Sequence, residues 1–409
     1  MIVKTRFLML AVLLLLVVAA LPAVAQDDVT VQYWHTMSDP ETAKLEEMIA
    51  AFEAANPGIK IEATRYAYND FKQALLTGIA GGEPPDVARL DIVWVPQFAE
   101  MGALEAMDTA LPDLSDRLDG FFPGPLATNF WNGQYWGMPL NTNTQVLLYN
   151  AAQFEEAGLT PPTTVEEFAS AACALTTGEE QYGYALGGTY FWAPAPLFYA
   201  QGGTITDPDV TTATGYVNSP ESVAAFQTLV DLYNQGCISP NLLGGGVGTA
   251  DGHATGLYSM IIDGPWMVDI YKSSYPDFEV NFALVPAGVD GTSSVVGGED
   301  VVLFANSPEH DAAVQWINFL LGEEYQLGMA EVGVIPTLNS LTGNAALPEY
   351  FGIFMDQLAT AQARTPTPVW GDIDNSLNNA FQYMLRGEKT VQQALDDAAT
   401  EIDGLLSGS

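Results

Sequence analysis

Cations are what this 409-residue chain has least of: 12 Lys and Arg stand against 50 Asp and Glu, a formal net charge of −38. So few cations cannot neutralise a phosphate backbone, which argues against nucleic acid as a partner. The same balance argues against binding an anionic membrane surface, and a polyanionic ligand would be hard to hold. The acid excess reads as a solvated surface that keeps the protein soluble and monomeric. Histidine is nearly as rare, and three scattered residues leave little room for a zinc site. Also missing are a Gly-x-Ser-x-Gly elbow, a phosphate loop and a His-Glu-x-x-His pair. The glycine run Gly244-Gly245-Gly246-Val247-Gly248 opens no helix directly, so it reads as a flexible loop and not a dinucleotide fingerprint. The chemistry that remains calls for no cofactor and no metal.

Long apolar runs are confined to the first residues. Lys4 and Arg6 precede an apolar stretch from Phe7 to Leu21, then Pro22 and an Ala23-Val24-Ala25 cleavage pattern. Residues 1–25 therefore read as a secretory signal, and their loss takes the charge to about −40. With no Cys near the cleavage point, a lipid anchor is not expected, and nothing later is apolar for long enough to span a bilayer. The expected location is outside the cytoplasm, in a periplasm or beyond, with no membrane insertion after cleavage. The two cysteines, Cys173 and Cys237, sit in or just after helical patterns, and an exported protein permits a bridge. Bridge and paired buried thiols both stay open, the bridge being preferred.

What is present is an alternation of strand and helix, in a chain long enough for two domains. Val29–Trp34, Ile59–Ala63 and Asp86–Leu90 read as strands, with helical spacing at Glu41–Phe52 and Phe71–Ile79 between them. This pattern predicts an α/β fold with a mostly parallel sheet. Thr144–Asn150 reads as a further strand. Thr163–Leu175, Tyr190–Gln201 and Pro220–Gln235 read as helices. Strand character returns at Val280–Val285 and Val295–Phe304, and the end is helical.

One stretch organises the reading. Leu257–Ile262 is an apolar run of strand length, stopped by Asp263-Gly264-Pro265, after which Trp266, Met267, Val268 and Ile270 continue at helical spacing. Strand, turn and helix in that order place Trp266 beyond the carboxyl end of a strand, where open α/β sheets bind ligands.

Several segments together resemble the maltose-binding-protein-like family, the sugar-binding components of bacterial ABC importers. They are Pro84-Pro85-Asp86-Val87 with Asp91 and Trp94; Gln134-Tyr135-Trp136-Gly137-Met138-Pro139-Leu140-Asn141-Thr142-Asn143-Thr144; and Ile262-Asp263-Gly264-Pro265-Trp266. Gly297-Gly298-Glu299-Asp300, Gly333-Val334-Ile335-Pro336-Thr337, and Thr367-Pro368-Val369-Trp370 followed by Gly387–Leu395 complete the set. The resemblance implies a two-lobed periplasmic-binding-protein (type II) fold with a hinge and an inter-lobe ligand cleft. It places the N-terminal lobe at 26–141 and 297–345, and the C-terminal lobe at 142–296 and 346–409. It also implies delivery of the ligand to the transmembrane permease subunits of an ABC importer.

The residues suit a carbohydrate guest. Sugars offer flat C–H faces and hydroxyl rims, so a site wants aromatic plates beside groups that donate and accept. Trp266, Trp370, Tyr190 and Trp192 are the expected plates, with Trp94 as a further one. Asp91, Glu299, Asp300, Asn143 and His35 are the expected hydroxyl partners. For Asp91 an N-cap role competes with ligand contact, and for the aromatics the competing place is the core. Two rival functions stay open: the same fold binding a cation such as a polyamine through cation–π contacts, and a secreted glycoside hydrolase, which needs only two carboxylates.

Overall fold

The computed structural model describes residues 28–289 and 291–408; the proposed signal segment lies outside them. Two main sheets form beside two two-stranded ones, and the hydrophobic pattern decides both main sheets. The first contains β1 (Val29–His35), β2 (Ile59–Arg65), β3 (Val87–Asp91), β4 (Met138–Asn143) and β9 (Gly297–Leu303) in the order β2-β1-β3-β9-β4. The second contains β5 (Val146–Tyr149), β6 (Tyr182–Ala185), β7 (Tyr258–Asp263) and β8 (Asn281–Ala283) in the order β8-β5-β7-β6. Strands β5 and β7 are mostly apolar and buried, and β3 is buried despite Arg89, as a sheet covered on both faces requires.

The sheets are mixed rather than mostly parallel. β1 pairs in parallel with β2 and β3, but β9 runs antiparallel to both β3 and β4. The reason is topological. β3 ends at the edge that faces the second sheet, whereas β9 enters from that sheet and must begin where β3 ends. Asp91 thus lies opposite Glu299, and Asn143 opposite Gly297, on one edge. In the second sheet β7 and β6 run parallel and end toward the same edge, with Asp263 opposite Val146.

Helices cover the sheets. Asp39–Ala55 opens with a capping box in which Ser38 and Glu41 each satisfy the other's backbone N–H. Its Leu45 and Phe52 pack with Trp316 and Tyr325 in the first core. In the second lobe, Trp370–Leu385 and Val391–Ser407 pack on Pro220–Asn234 through Ile373, Leu377, Phe381, Leu395 and Phe226. Cys173, on helix Val165–Ala174, is disulfide-bonded to Cys237. The expected helix from Tyr190 begins only at Ala195, because Pro194 takes the cap position; residues 190–194 form a turn instead.

Candidate functional site

The edges of the two sheets face each other across a cleft with two communicating compartments of about 520 and 450 Å³, which share Tyr68, Asn143, Trp266 and Glu299. Trp266 stands between the two. It is the first residue of helix Trp266–Ser274, and its indole lies flat over Gly264, where any Cβ would collide with the ring. The turn glycine is what lets the plate lie down. Asp263, at the end of β7, accepts from the Gly264 N–H at 2.8 Å and hydrogen-bonds the Trp266 side chain. Burial pushes its carboxyl up to about 6 against those two bonds, which favour the charged form. The result is a Trp held rigidly yet 39% exposed, with Trp192 at 6.3 Å.

The second lobe adds Tyr190, 46% exposed, and Trp192, whose backbone carbonyl accepts from the Gln145 side chain at 2.6 Å. The first lobe answers with Trp94 and Tyr68, whose rings stack at 5.4 Å. The Tyr68 hydroxyl donates to Asp91 at 2.7 Å, and Asp91 also accepts from the Val93 N–H at 3.0 Å. Asp91 is not the N-cap weighed for it, since Trp94 takes that position of helix Val95–Glu100; it braces the loop before the helix and lines the cleft.

Glu299 forms part of the floor. Its carboxylate accepts from Arg89 at 2.8 Å and from Asn141 at 2.7 Å. Arg89, almost wholly buried on β3, also donates to Asn141 Oδ1 and Thr36 Oγ1. Burial raises the Glu299 carboxyl and the Arg89 guanidinium opposes that. Cleft charge on this side is balanced from within.

All the expected ligand-facing residues line the second compartment except two. Asp300 points the other way along β9 into the first core, fully buried, accepting from Asn129 at 2.8 Å and Thr128 at 3.1 Å. The strand's period of two decides this: if Glu299 faces the cleft floor, its neighbour cannot. His35 is buried too; its Nδ1 accepts from the Met37 N–H at 3.2 Å and burial drives its pKa down to about 4, so it is a neutral turn brace. Trp370 reaches the compartment only with an edge. It is 4% exposed and packs against Phe191 at 6.1 Å, mostly as core.

Sequence reasoning missed Tyr68, Arg89, Arg364 and Asp374. Tyr68 could have been found, since it opens a helix directly after a strand end. Arg89 carried a signal as well, a charge inside an apolar strand. Arg364 and Asp374 lie in no motif. Among the described residues, no group of three or more His, Cys, Asp or Glu is placed to hold a metal, and no helix is long and apolar enough to cross a membrane.

Similarity to known proteins agrees with this geometry. The chain is 26% identical over 376 residues to a binding protein of Brucella abortus, covering 88% of this chain and 89% of the relative. It is 25% identical over 373 residues to a maltotriose-binding protein of Pyrococcus abyssi, covering 87% of this chain and 77% of that one. The crystal structure of the cyclic alpha-maltosyl-1,6-maltose binding protein from Arthrobacter globiformis superimposes with a TM-score of 0.82 at 27% identity, covering 93% of this chain and 100% of that one. Residues 38–327 match the family described as bacterial extracellular solute-binding protein. Two lobes, a chain that passes from the first sheet to the second and back, and a match over most of its length make one conclusion: the chain belongs to the bacterial extracellular solute-binding proteins, in their maltose-binding-protein-like branch.

Proposed function

We propose that the protein captures a neutral carbohydrate between its lobes and passes it, unchanged, to the permease of an ABC importer. The lobes are 26–141 with 297–345, and 142–296 with 346–409. Strand pairing supports this division, the first crossing falling at Thr144–Gln145. The carrying observation is convergence: Trp266, Trp192 and Tyr190 from one lobe face Trp94 and Tyr68 from the other across a shared compartment. Such rings suit the C–H faces of a sugar, and Asn143, Asp91 and Arg364 suit its hydroxyls. The sugars bound by the Pyrococcus and Arthrobacter relatives lend support.

A polyamine fits less well. Glu299 is already paired with Arg89, Asp91 takes the Tyr68 hydroxyl, and Arg364 brings positive charge into the same space. A glycosidase fits less well too, since Glu299 has its carboxylate engaged twice and is badly placed to shuttle protons. Export into a periplasm or beyond belongs to the same proposal.

A thermal-shift screen tests it. At a concentration ~100 times its dissociation constant, the correct saccharide stabilises the protein by about 2.7 kcal/mol, while spermidine and putrescine do not. Chromatography of the incubated saccharide should return it intact. Stabilisation by polyamines alone, or release of shorter sugars, overturns the proposal.

A further inference from the structure

Arg364 is an anomaly in so acidic a chain. Among the ten described Lys and Arg side chains, most are paired with a carboxylate, but Arg364 has no carboxylate within ion-pair distance and no hydrogen bond. Its guanidinium lies over the Trp192 ring at 5.1 Å, and its Nε is sealed from solvent without a partner. In the same compartment the Asn143 side-chain oxygen is also buried and unpartnered. A buried donor or acceptor left unpaired is costly, and of the nine such atoms among the described residues these are the two that line the cleft. Two lining one compartment point to a group that arrives from outside.

Position adds to this. Asn143 is the last residue of β4, directly before the first crossing at Thr144–Gln145. Arg364 follows the short strand Ala361–Gln362, which pairs with Ser294–Val295, and Gln362 accepts from the N–H of Val296 at the second crossing. Both side chains therefore spring from the hinge and not from the outer parts of the lobes. The charge around them argues for a neutral group. Asp374, which lines the compartment, feels the positive field of Arg364 and accepts from the Phe191 N–H at 2.9 Å. With Asp91 and Glu299 also there, an added carboxylate would meet like charges on several sides. A pair of adjacent sugar hydroxyls has no such difficulty: its oxygens accept from the guanidinium fork while its hydrogens go to Asn143 and Asp374.

We propose that Arg364 and Asn143 form a hinge-seated polar clamp that selects a vicinal hydroxyl pair on a neutral sugar ring, making Arg364 a specificity-determining residue. The inference rests on the carbohydrate reading of the cleft. Titration calorimetry would first take the wild type through glucose, galactose, maltose, maltotriose, cellobiose and xylobiose. The tightest binder, its deoxy analogues and its uronate-ended analogue are then compared on wild type, Arg364→Gln, Arg364→Lys and Trp266→Ala. The expected result is a tenfold or greater loss of affinity in both Arg364 variants, with unchanged melting temperature in the absence of sugar. One deoxy analogue should bind the wild type as weakly as the parent sugar binds Arg364→Gln, and lose nothing further in that variant. Retained affinity in Arg364→Gln alongside a loss in Trp266→Ala overturns this inference and leaves the carbohydrate reading standing. So does tighter binding of the uronate than of the neutral sugar. If no saccharide in the panel binds, both readings fall together.

Discussion

At the scale of the residue, the cleft is made of side chains held still by backbone devices. Trp266 shows this best: a proline-led helix start, a glycine with no Cβ beneath the indole, and a buried carboxylate at its polar edge. Because the ring is 39% exposed and its supports belong to other residues, Trp266→Ala should cost the ligand about 1–3 kcal/mol of binding, from lost apolar area and stacking. The fold should be untouched. Calorimetry and a thermal melt on the same preparation measure both, and a cooperative loss of stability would assign the ring to the core. This Trp was legible in the sequence because turn chemistry announces itself in Asp-Gly-Pro. Arg364 was not, since a cation on a loop, set only against a ring, leaves no period and no motif. His35 and Asp300 were misread for a related reason. Adjacency along the chain does not say which way a side chain points, and burial next to a site looks the same in sequence as membership of it.

At the scale of the element, legibility followed hydrophobic periodicity. Helices Asp39–Ala55, Pro220–Asn234 and Val391–Ser407 emerge within a few residues of the expected limits, because their apolar spacing and their Ser or Thr caps agree. Strand β4 went unseen because it follows a stretch of Gly, Pro and aromatics, and carries Pro139 and two Asn. Strand β9 was read, but its antiparallel direction was hidden, since orientation within a sheet comes from where the chain returns and not from composition. Helix Thr249–Ala254 had no amphipathic signal, and yet it props the helix that carries Trp266. Its His253, fully buried, shares a 2.7 Å hydrogen bond with Tyr271 and packs against Phe278. Burial lowers its pKa to about 3, against an ordinary value of 6.5. Between those values the unfolded chain binds a proton that the folded one refuses. The stability contributed by the neutral ring is complete above pH 6.5 and drains away as pH falls toward 3. Urea melts of wild type and His253→Gln between pH 7.5 and 5 should therefore converge, by about 1.4 kcal/mol per pH unit below 6.5. The raised carboxyls of Asp263 and Glu299 pull the other way, but they are common to both proteins and cancel in the difference. Parallel curves would mean that His253 is charged inside the fold.

At the scale of the whole molecule, what matters is that the chain passes between the sheets at Thr144–Gln145 and at Val296, and leaves the first lobe once more after the turn Asn339–Leu341, where helix Phe351–Leu358 packs on the second sheet. In the proposed carrier these three tethers would let the lobes bend toward each other but not part, as hinge closure requires. The first compartment lies where that bending is felt. Helix Trp266–Ser274 of the second lobe meets the loop Val332–Ile335 there, and a Cβ at Gly333, which has φ +90°, would stand 2.9 Å from an Asp269 carboxylate oxygen. Closure around a sugar should therefore shrink the particle. Small-angle scattering at saturating saccharide should give a smaller radius of gyration than the protein alone, with a titration midpoint that follows the calorimetric affinity. Gly333→Val forces a side chain into the narrow gap beside Asp269, so at saturation it should contract less and bind more weakly. Its strained φ adds a stability cost, which a melt measured without sugar separates from the effect on closing. Scattering curves that superimpose with and without bound saccharide would mean that the rings already stand at their final separation, and that the protein holds its guest as a rigid groove.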